Sequence, residues 1–352
     1  MLTSSYAPID EALELLSAYG PDLRNGLTNH APMAVEALCA LGRSDAVLPW
    51  IEKYRAGMLP RPAAQSRIED RNWRAALAHP ERTTDWSEFF RELLREQPWR
   101  EVLQQWMSRL ASGLCGSATH GVIRVGHAVR SLTQGESSER MRELADALGY
   151  LAANYQELPT ILETTDAGWN PSEAIGRVAL VPPELRRFSG TITSALEGLD
   201  AFPEFASVIG LLRVDGDDAS RLVSQLTETF ARVYLANAYN VLTAIVFIHG
   251  VTSAAALRSL LPYLDAETAR QALRFGWQAG CGLYAAFGSR TELAAGDDLP
   301  RETLETLVDM AVAHGDEHVI KFTEACVHEY ALNPAPVYLA AARRTFELMP
   351  AQ

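Results

Sequence analysis

The sequence predicts an all-α protein, a single large multi-helix domain. Three observations carry that prediction. Apolar residues recur every three to four positions through nearly every segment, the spacing that lines one face of a helix. Period-two runs of β-branched residues, which mark half-buried strands, are scarce. Helix punctuation also falls between the apolar runs: Asp217 or Asp218 and Asp265 precede two of them, and Gly42 and Gly315 follow others.

Taken in order, the pattern predicts helices over roughly residues 9–19, 32–41, 86–114, 120–132, 138–155, 219–236, 241–261, 266–287, 302–314, 317–330 and 335–348. Pro98 lies inside the third of these and should break or kink it, because proline lacks the amide hydrogen that the ladder needs. The most apolar stretch, residues 241–257, is long enough to raise the question of a membrane span. It includes Thr243, His249, Gly250, Thr252 and Ser253, with Arg258 directly after, so a buried core helix is expected instead. The least regular region, residues 159–191, contains Gly168, Pro171, Pro182 and Pro183 and reads as a domain linker or as a long ordered loop over a pocket. With no composition shift between the two halves, one domain over residues 1–352 is the expectation.

Composition limits the function. The chain is 48% hydrophobic and 21% charged, which suits a soluble globule with a sizeable core. A formal net charge of −13 with no basic patch disfavours nucleic acid and anionic membrane as partners. The first residues lack the basic region and apolar core of a secretory signal, so a cytoplasmic location is expected. Cys39, Cys115, Cys281 and Cys326 form no CxxC pair and read as small buried residues in a reducing compartment. Oligomeric state is not legible.

Of 31 lysines and arginines only Lys53 and Lys321 are lysine. Where arginine fills nearly every cationic role, a retained lysine either falls by chance or marks a site needing an amine that can lose its proton or react. Lys321 lies three residues after His318. Projected on a helix, His314, His318, Lys321, Ala325 and His328 form one stripe, with Asp316, Glu317, Glu324 and Glu329 as ordinary surface residues in other directions. His249 sits in an apolar run, so its imidazole must be hydrogen-bonded or bind a metal. His120 and His127 are seven apart with Arg124 between them, and His30 stands at the start of a helix. Four helices therefore offer inward-facing histidines, and imidazole is the commonest protein metal ligand.

Familiar motifs are missing. There is no HExxH, no ExxH pair, no His-Asp dipeptide, no GxSxG elbow and no phosphate loop. The run from Gly280 to Ala285 has the letters of a dinucleotide fingerprint, but it lies inside a predicted helix and follows no strand. No flavin or nicotinamide module is expected.

The runs Asn29-His30-Ala31-Pro32-Met33, His120-Gly121-Val122-Ile123, Ile248-His249-Gly250-Val251-Thr252 and Glu317-His318-Val319-Ile320-Lys321 resemble those of the questin oxidase-like family, over about residues 29–330. The resemblance implies oxidative tailoring of anthraquinones and related aromatic polyketides, by ring cleavage or Baeyer–Villiger-type oxygen insertion. It also implies a non-haem iron(II) held by His30, His120, His249 and His318, with Lys321 as a carboxylated lysine ligand. Chemistry agrees with the lysine: an ammonium repels a cation, whereas a carbamate supplies an anionic oxygen. Arg124 and His127 depart from the family pattern, which has histidine and tyrosine after the His120 motif. His127 is then a replacement ligand, a partner for a substrate oxygen, or structural, and both residues are candidates for catalysis. His314 and His328 are weaker candidates, read as neighbours of the site or as helix-terminal residues.

The expected enzyme is thus an iron-dependent oxygenase using dioxygen on a small aromatic polyketide, with NADPH at most as an external reductant. Tyr234, Tyr239, Trp277 and Tyr284 either line an apolar pocket for a planar ligand or pack the core. Two alternatives stay open. One is a metal-dependent hydrolase with the same ligands, and the other is a non-catalytic helical binding protein.

Overall fold

Side-chain caps fix the starts of several long helices. The Asp218, Asp265 and Asp316 side chains accept backbone N–H groups of Arg221, Thr268 and His318 at 2.8, 2.8 and 2.9 Å, satisfying donors that a helix start leaves open. Asn240 forms a reciprocal capping box with Thr243. A computed structural model describes residues 3–161, 168–214, 218–296 and 300–351, so Asp217 and part of the irregular 159–191 region lie outside the described residues.

Among the described residues the helices are α1 Ile9–Leu16, α2 Ala31–Ala40, α3 Val47–Tyr54, α4 Thr83–Glu96, α5 Trp99–Leu110, α6 His120–Thr133, α7 Ser138–Ala153 and α8 Pro171–Ala174. There follow α9 Ile192–Glu197, α10 Ala219–Asn237, α11 Val241–Leu260, α12 Ala266–Phe287, α13 Leu304–His314, α14 Glu317–Leu332 and α15 Pro336–Leu348. The all-α reading holds. Pro98 separates α4 from α5 as its chemistry requires. Three details differ from the sequence reading. Helix α1 stops at Leu16, because Tyr19 opens strand β1 (Tyr19–Leu23), which pairs antiparallel with β2 (Met58–Pro60). Helix α3 was not anticipated, since eight residues containing Pro49 give too short a period to detect. The short α8 and α9 punctuate an otherwise irregular stretch.

A further difference concerns the histidine stripe. His314 ends α13, and Gly315 adopts a left-handed φ of 81° before Asp316 caps α14. The helix therefore breaks inside the projected stripe, and His314 turns to the Met349 carbonyl at 3.1 Å instead.

Apolar residues collect into two main cores. The larger one is built by α4 to α7, α10 to α12, α14 and α15, with α11 packed between α6, α10 and α12. The apolar stretch 241–257 is thus a buried core helix. Trp277 and Tyr284 belong to this core, with the indole N–H on the Val208 carbonyl (2.9 Å) and the phenol on the Arg290 carbonyl (3.0 Å). Tyr234 is also inside it, bonded to Thr345, so core packing accounts for these three aromatics, whereas Tyr239 is exposed. The smaller core joins α1, α2, α3 and the hairpin, with Ile320 of α14 reaching into it. All four cysteines are free and buried.

Helices α6 and α11 approach most tightly at Gly126. A β-carbon there would stand 2.7, 2.9 and 3.0 Å from Cβ, Cα and O of Ala256, two of them backbone atoms that cannot rotate away. Gly126→Ala gains about 1 kcal/mol of helix propensity, but forcing the helices apart costs more, about 1–3 kcal/mol. We expect a net loss of up to about 2 kcal/mol, visible as a lower melting temperature. A melting temperature equal to or above that of the parent would contradict this packing.

Candidate metal centre

Four helices cross at the boundary between the two cores, and each brings one histidine to the crossing. His30 occupies the N-cap of α2, His120 opens α6, His249 lies midway along α11 and His318 is in the first turn of α14. One ligand-capable atom of each lies within 4.8 Å of the others, and all four residues are buried. The His30 and His120 rings stack with centroids 4.7 Å apart, and His318 meets His30 edge-on at 4.5 Å.

Second partners fix two of the rings. Nδ1 of His30 lies 3.2 Å from Oε1 of Glu317, so it carries the hydrogen and donates it. Nδ1 of His120 likewise donates to the Ser117 carbonyl. In each ring the proton is on Nδ1 and Nε2 is left with a lone pair, the arrangement in which metal-binding imidazoles are usually held. Nε2 of His30 is buried with no hydrogen-bond partner, and Nε2 of His120 faces Nε2 of His249 at 3.1 Å. A hydrogen on Nε2 of His249 makes this contact a hydrogen bond to His120, and without it the two lone pairs need a cation between them. Burial, then the field of Lys321, holds His30 well below the ordinary histidine value and brings His120 down to about 3. His249 is lowered by burial and by His120. These neutral, convergent imidazoles fit a divalent transition metal.

Lys321 completes the group. It is 2% exposed, one turn beyond His318, and burial lowers its amine to about 8 against the opposing pull of Glu317 and Asp316. It also lines a narrow cleft with Gly126, His127, Arg130, Thr252, Glu324 and His328. At this cleft Nδ1 of His127 lies 2.6 Å from Oε2 of Glu36, and 3.3 Å from an Arg130 nitrogen. The shorter, carboxylate contact decides that Nδ1 donates; in the neutral ring Nε2 is then the acceptor. Arg130 bonds both oxygens of Glu36 and reaches Glu324 at 2.6 Å. Burial pushes the Glu36 carboxyl up, but Arg130 and His127 outweigh it and hold it well below the usual range.

His127 is therefore outside the four-histidine group, and Arg124 is elsewhere again: its guanidinium makes a buried fork to Glu143 of α7 at 2.6 and 2.8 Å. His328 is exposed at the cleft rim, and His79, on the surface, pairs with Glu81. The acidic residues read as surface groups are all buried, because each has a cation or a backbone cap to satisfy it. Asp316 caps α14, Glu317 holds His30, Glu324 pairs with Arg130, and Glu329 takes a two-pronged contact from Arg258 at 2.8 and 2.7 Å. Sequence reasoning missed Glu36, Glu317, Ser117 and Tyr150. A carboxylate on the apolar α2 run was the one available signal.

Before His120 the backbone is unusual. Ser117, Ala118 and Thr119 have φ of 49, 53 and 71°, left-handed values that cost a residue with a β-carbon roughly 1–2 kcal/mol each. Such strain gathers where surrounding structure must hold one geometry.

Fold and site together define an all-helical protein with a buried four-histidine centre flanked by a lysine. The family model for questin oxidase-like proteins matches residues 27–326, and the chain belongs to that family. The family implies an oxidoreductase, of the kind that tailors polyketides oxidatively. A comparison with curated proteins finds no match.

The low imidazole values set a pH dependence. Unfolded histidines titrate near 6.5, so between that value and the lowered folded one the unfolded chain binds more protons, and stability is lost as pH falls. For metal-stripped protein we expect on the order of 1–2 kcal/mol lost for each of His30, His120 and His249 between pH 6.5 and 5, above the range of ordinary carboxylates. A denaturant midpoint that stays flat from pH 7 to 5 would contradict the buried, neutral state.

Proposed function

We propose that the chain is a non-haem iron-dependent oxygenase that cleaves, or inserts oxygen into, a ring of an anthraquinone or related aromatic polyketide. The observation that carries this reading is the convergence of four buried imidazoles, two of them with Nδ1–H tied to fixed acceptors. His30, His120, His249 and His318 would hold the iron, and Lys321, as its carbamate, would add an anionic oxygen. Bound there, iron(II) would supply the activation of dioxygen. The substrate class rests on family membership.

The protein's own groups have separable tasks. Glu317 and the Ser117 carbonyl keep the hydrogens of His30 and His120 on Nδ1. The lowered amine of Lys321 leaves a larger neutral fraction near pH 8 than an exposed lysine has, and the neutral amine is the form that adds carbon dioxide. Lys321 also lines the cleft. There Glu36 orients His127 so that Nε2 can accept a proton from a phenolic substrate and return it, with Arg130 balancing the charge of Glu36. Arg124, engaged with Glu143, has a structural task instead.

Iron-loaded protein supplied with bicarbonate should consume dioxygen in step with loss of a hydroxylated anthraquinone. Turnover under strict anaerobiosis would sink the oxygenase reading and favour hydrolysis. Lys321→Arg keeps the charge but cannot form a carbamate, so it should lose iron and at least a hundredfold of activity, about 2.7 kcal/mol. Full activity in that variant would remove Lys321 from the site. Glu36→Gln should retain iron while lowering kcat about tenfold to a hundredfold and flattening the pH profile, as expected for loss of a positioned base. An unchanged profile would make the Glu36 and His127 pair purely structural.

A further inference from the structure

The strained turn before His120 shares an anchor with the segment that carries His30. The Tyr150 hydroxyl, on α7 and buried, lies 2.7 Å from Oγ of Ser117 and 3.0 Å from Oγ1 of Thr28. Thr28 is two residues before His30, and Ser117 is three before His120. The Ser117 carbonyl in turn accepts both the side-chain Nδ1–H of His120 and, at 3.2 Å, its backbone N–H. One phenol thus ties together the approaches to two rings that stack on each other.

Close backbone contacts hold the turn against α7 at both ends. A β-carbon on Gly116 would lie 1.9 Å from the Asn154 carbonyl oxygen, and one on Gly121 would lie 2.9 Å from Cα of Leu151. Between these pinch points Ser117, Ala118 and Thr119 take left-handed conformations. Thr119 is fully buried and its hydroxyl has no hydrogen-bond partner, a second unfavourable feature at the same place. Glycine would relieve the φ penalty, yet it would also open conformations in which the Ser117 carbonyl swings away. A β-carbon, once forced into the left-handed well, is confined to a small region of it.

We propose that Tyr150 and the Ser117–Ala118–Thr119 turn form a positioning device for the centre. Tyr150 is the positioning residue, and the turn keeps the Ser117 carbonyl on Nδ1 of His120 so that Nε2 points at His249. This inference rests on reading the four histidines as a metal site, but its effect on the His120 tautomer exists without metal.

The test uses the full chain, labelled with ¹⁵N at histidine, with cobalt(II) as the probe metal. Two variants are compared with the parent: Tyr150→Phe, which removes only the hydroxyl, and Ala118→Gly, which removes one left-handed penalty. In metal-free protein His120 should be the Nδ1–H tautomer by imidazole ¹⁵N shifts, assigned with His120→Gln, and Tyr150→Phe should turn it into a mixture. That variant should also bind cobalt about tenfold to a hundredfold more weakly, the usual cost of losing an outer partner, with an altered visible spectrum and an unchanged helical circular dichroism. Ala118→Gly should melt higher than the parent when metal-free yet bind cobalt more weakly. A parent tautomer and parent cobalt affinity in Tyr150→Phe would overturn the proposal, and so would Ala118→Gly that melts higher with undiminished affinity. If the parent itself takes up no cobalt, the metal reading fails, and the tautomer measurement still decides the role of the turn.

Discussion

Burying four imidazoles and an amine at one helix crossing constrains everything around it. Charge is costly there, so the surroundings must satisfy the ring nitrogens that point outward. Glu317 and the Ser117 carbonyl do so for two rings. The placement of α2 and α14 follows from this need, since His30 and Glu317 sit at their first turns and must meet.

The crossing is also the boundary between the two apolar cores. A boundary between cores would ordinarily be filled with more apolar side chains; here it is polar and closed by paired charges. Glu36 of α2, Arg130 of α6 and Glu324 of α14 link three helices in one chain of short contacts. A buried network of this kind contributes little net stability compared with a hydrophobic filling, while loss of a single member leaves an uncompensated charge. It specifies the relative placement of the helices more than it strengthens their packing. For a centre whose ligands come from four separate helices, placement is the quantity that matters.

Much of this architecture was legible in the chain. Helix periodicity and caps located nearly every long helix, because each depends on residues close in sequence. The four histidines and Lys321 were picked out by their likeness to the motifs of the questin oxidase-like family; of the four, His249 alone stands deep within an apolar run. What was not legible depends on distant partners. Glu324 and Glu329 look like surface carboxylates until Arg130 and Arg258 are brought against them. Arg124 and His127 lie three residues apart on α6, yet one turns to α7 and the other to α2. The stripe through His314 failed for a local reason, the left-handed Gly315. The β hairpin escaped notice because its second strand is three residues long.

The scarcity of lysine has a practical side. Lys321 is enclosed, and Lys53 on α3 is exposed. In the folded protein, reagents that acylate side-chain amines therefore meet one accessible target. A dye or a solid support coupled through that amine would attach the molecule at a single defined point, with a uniform orientation that lysine-rich proteins of this size do not offer.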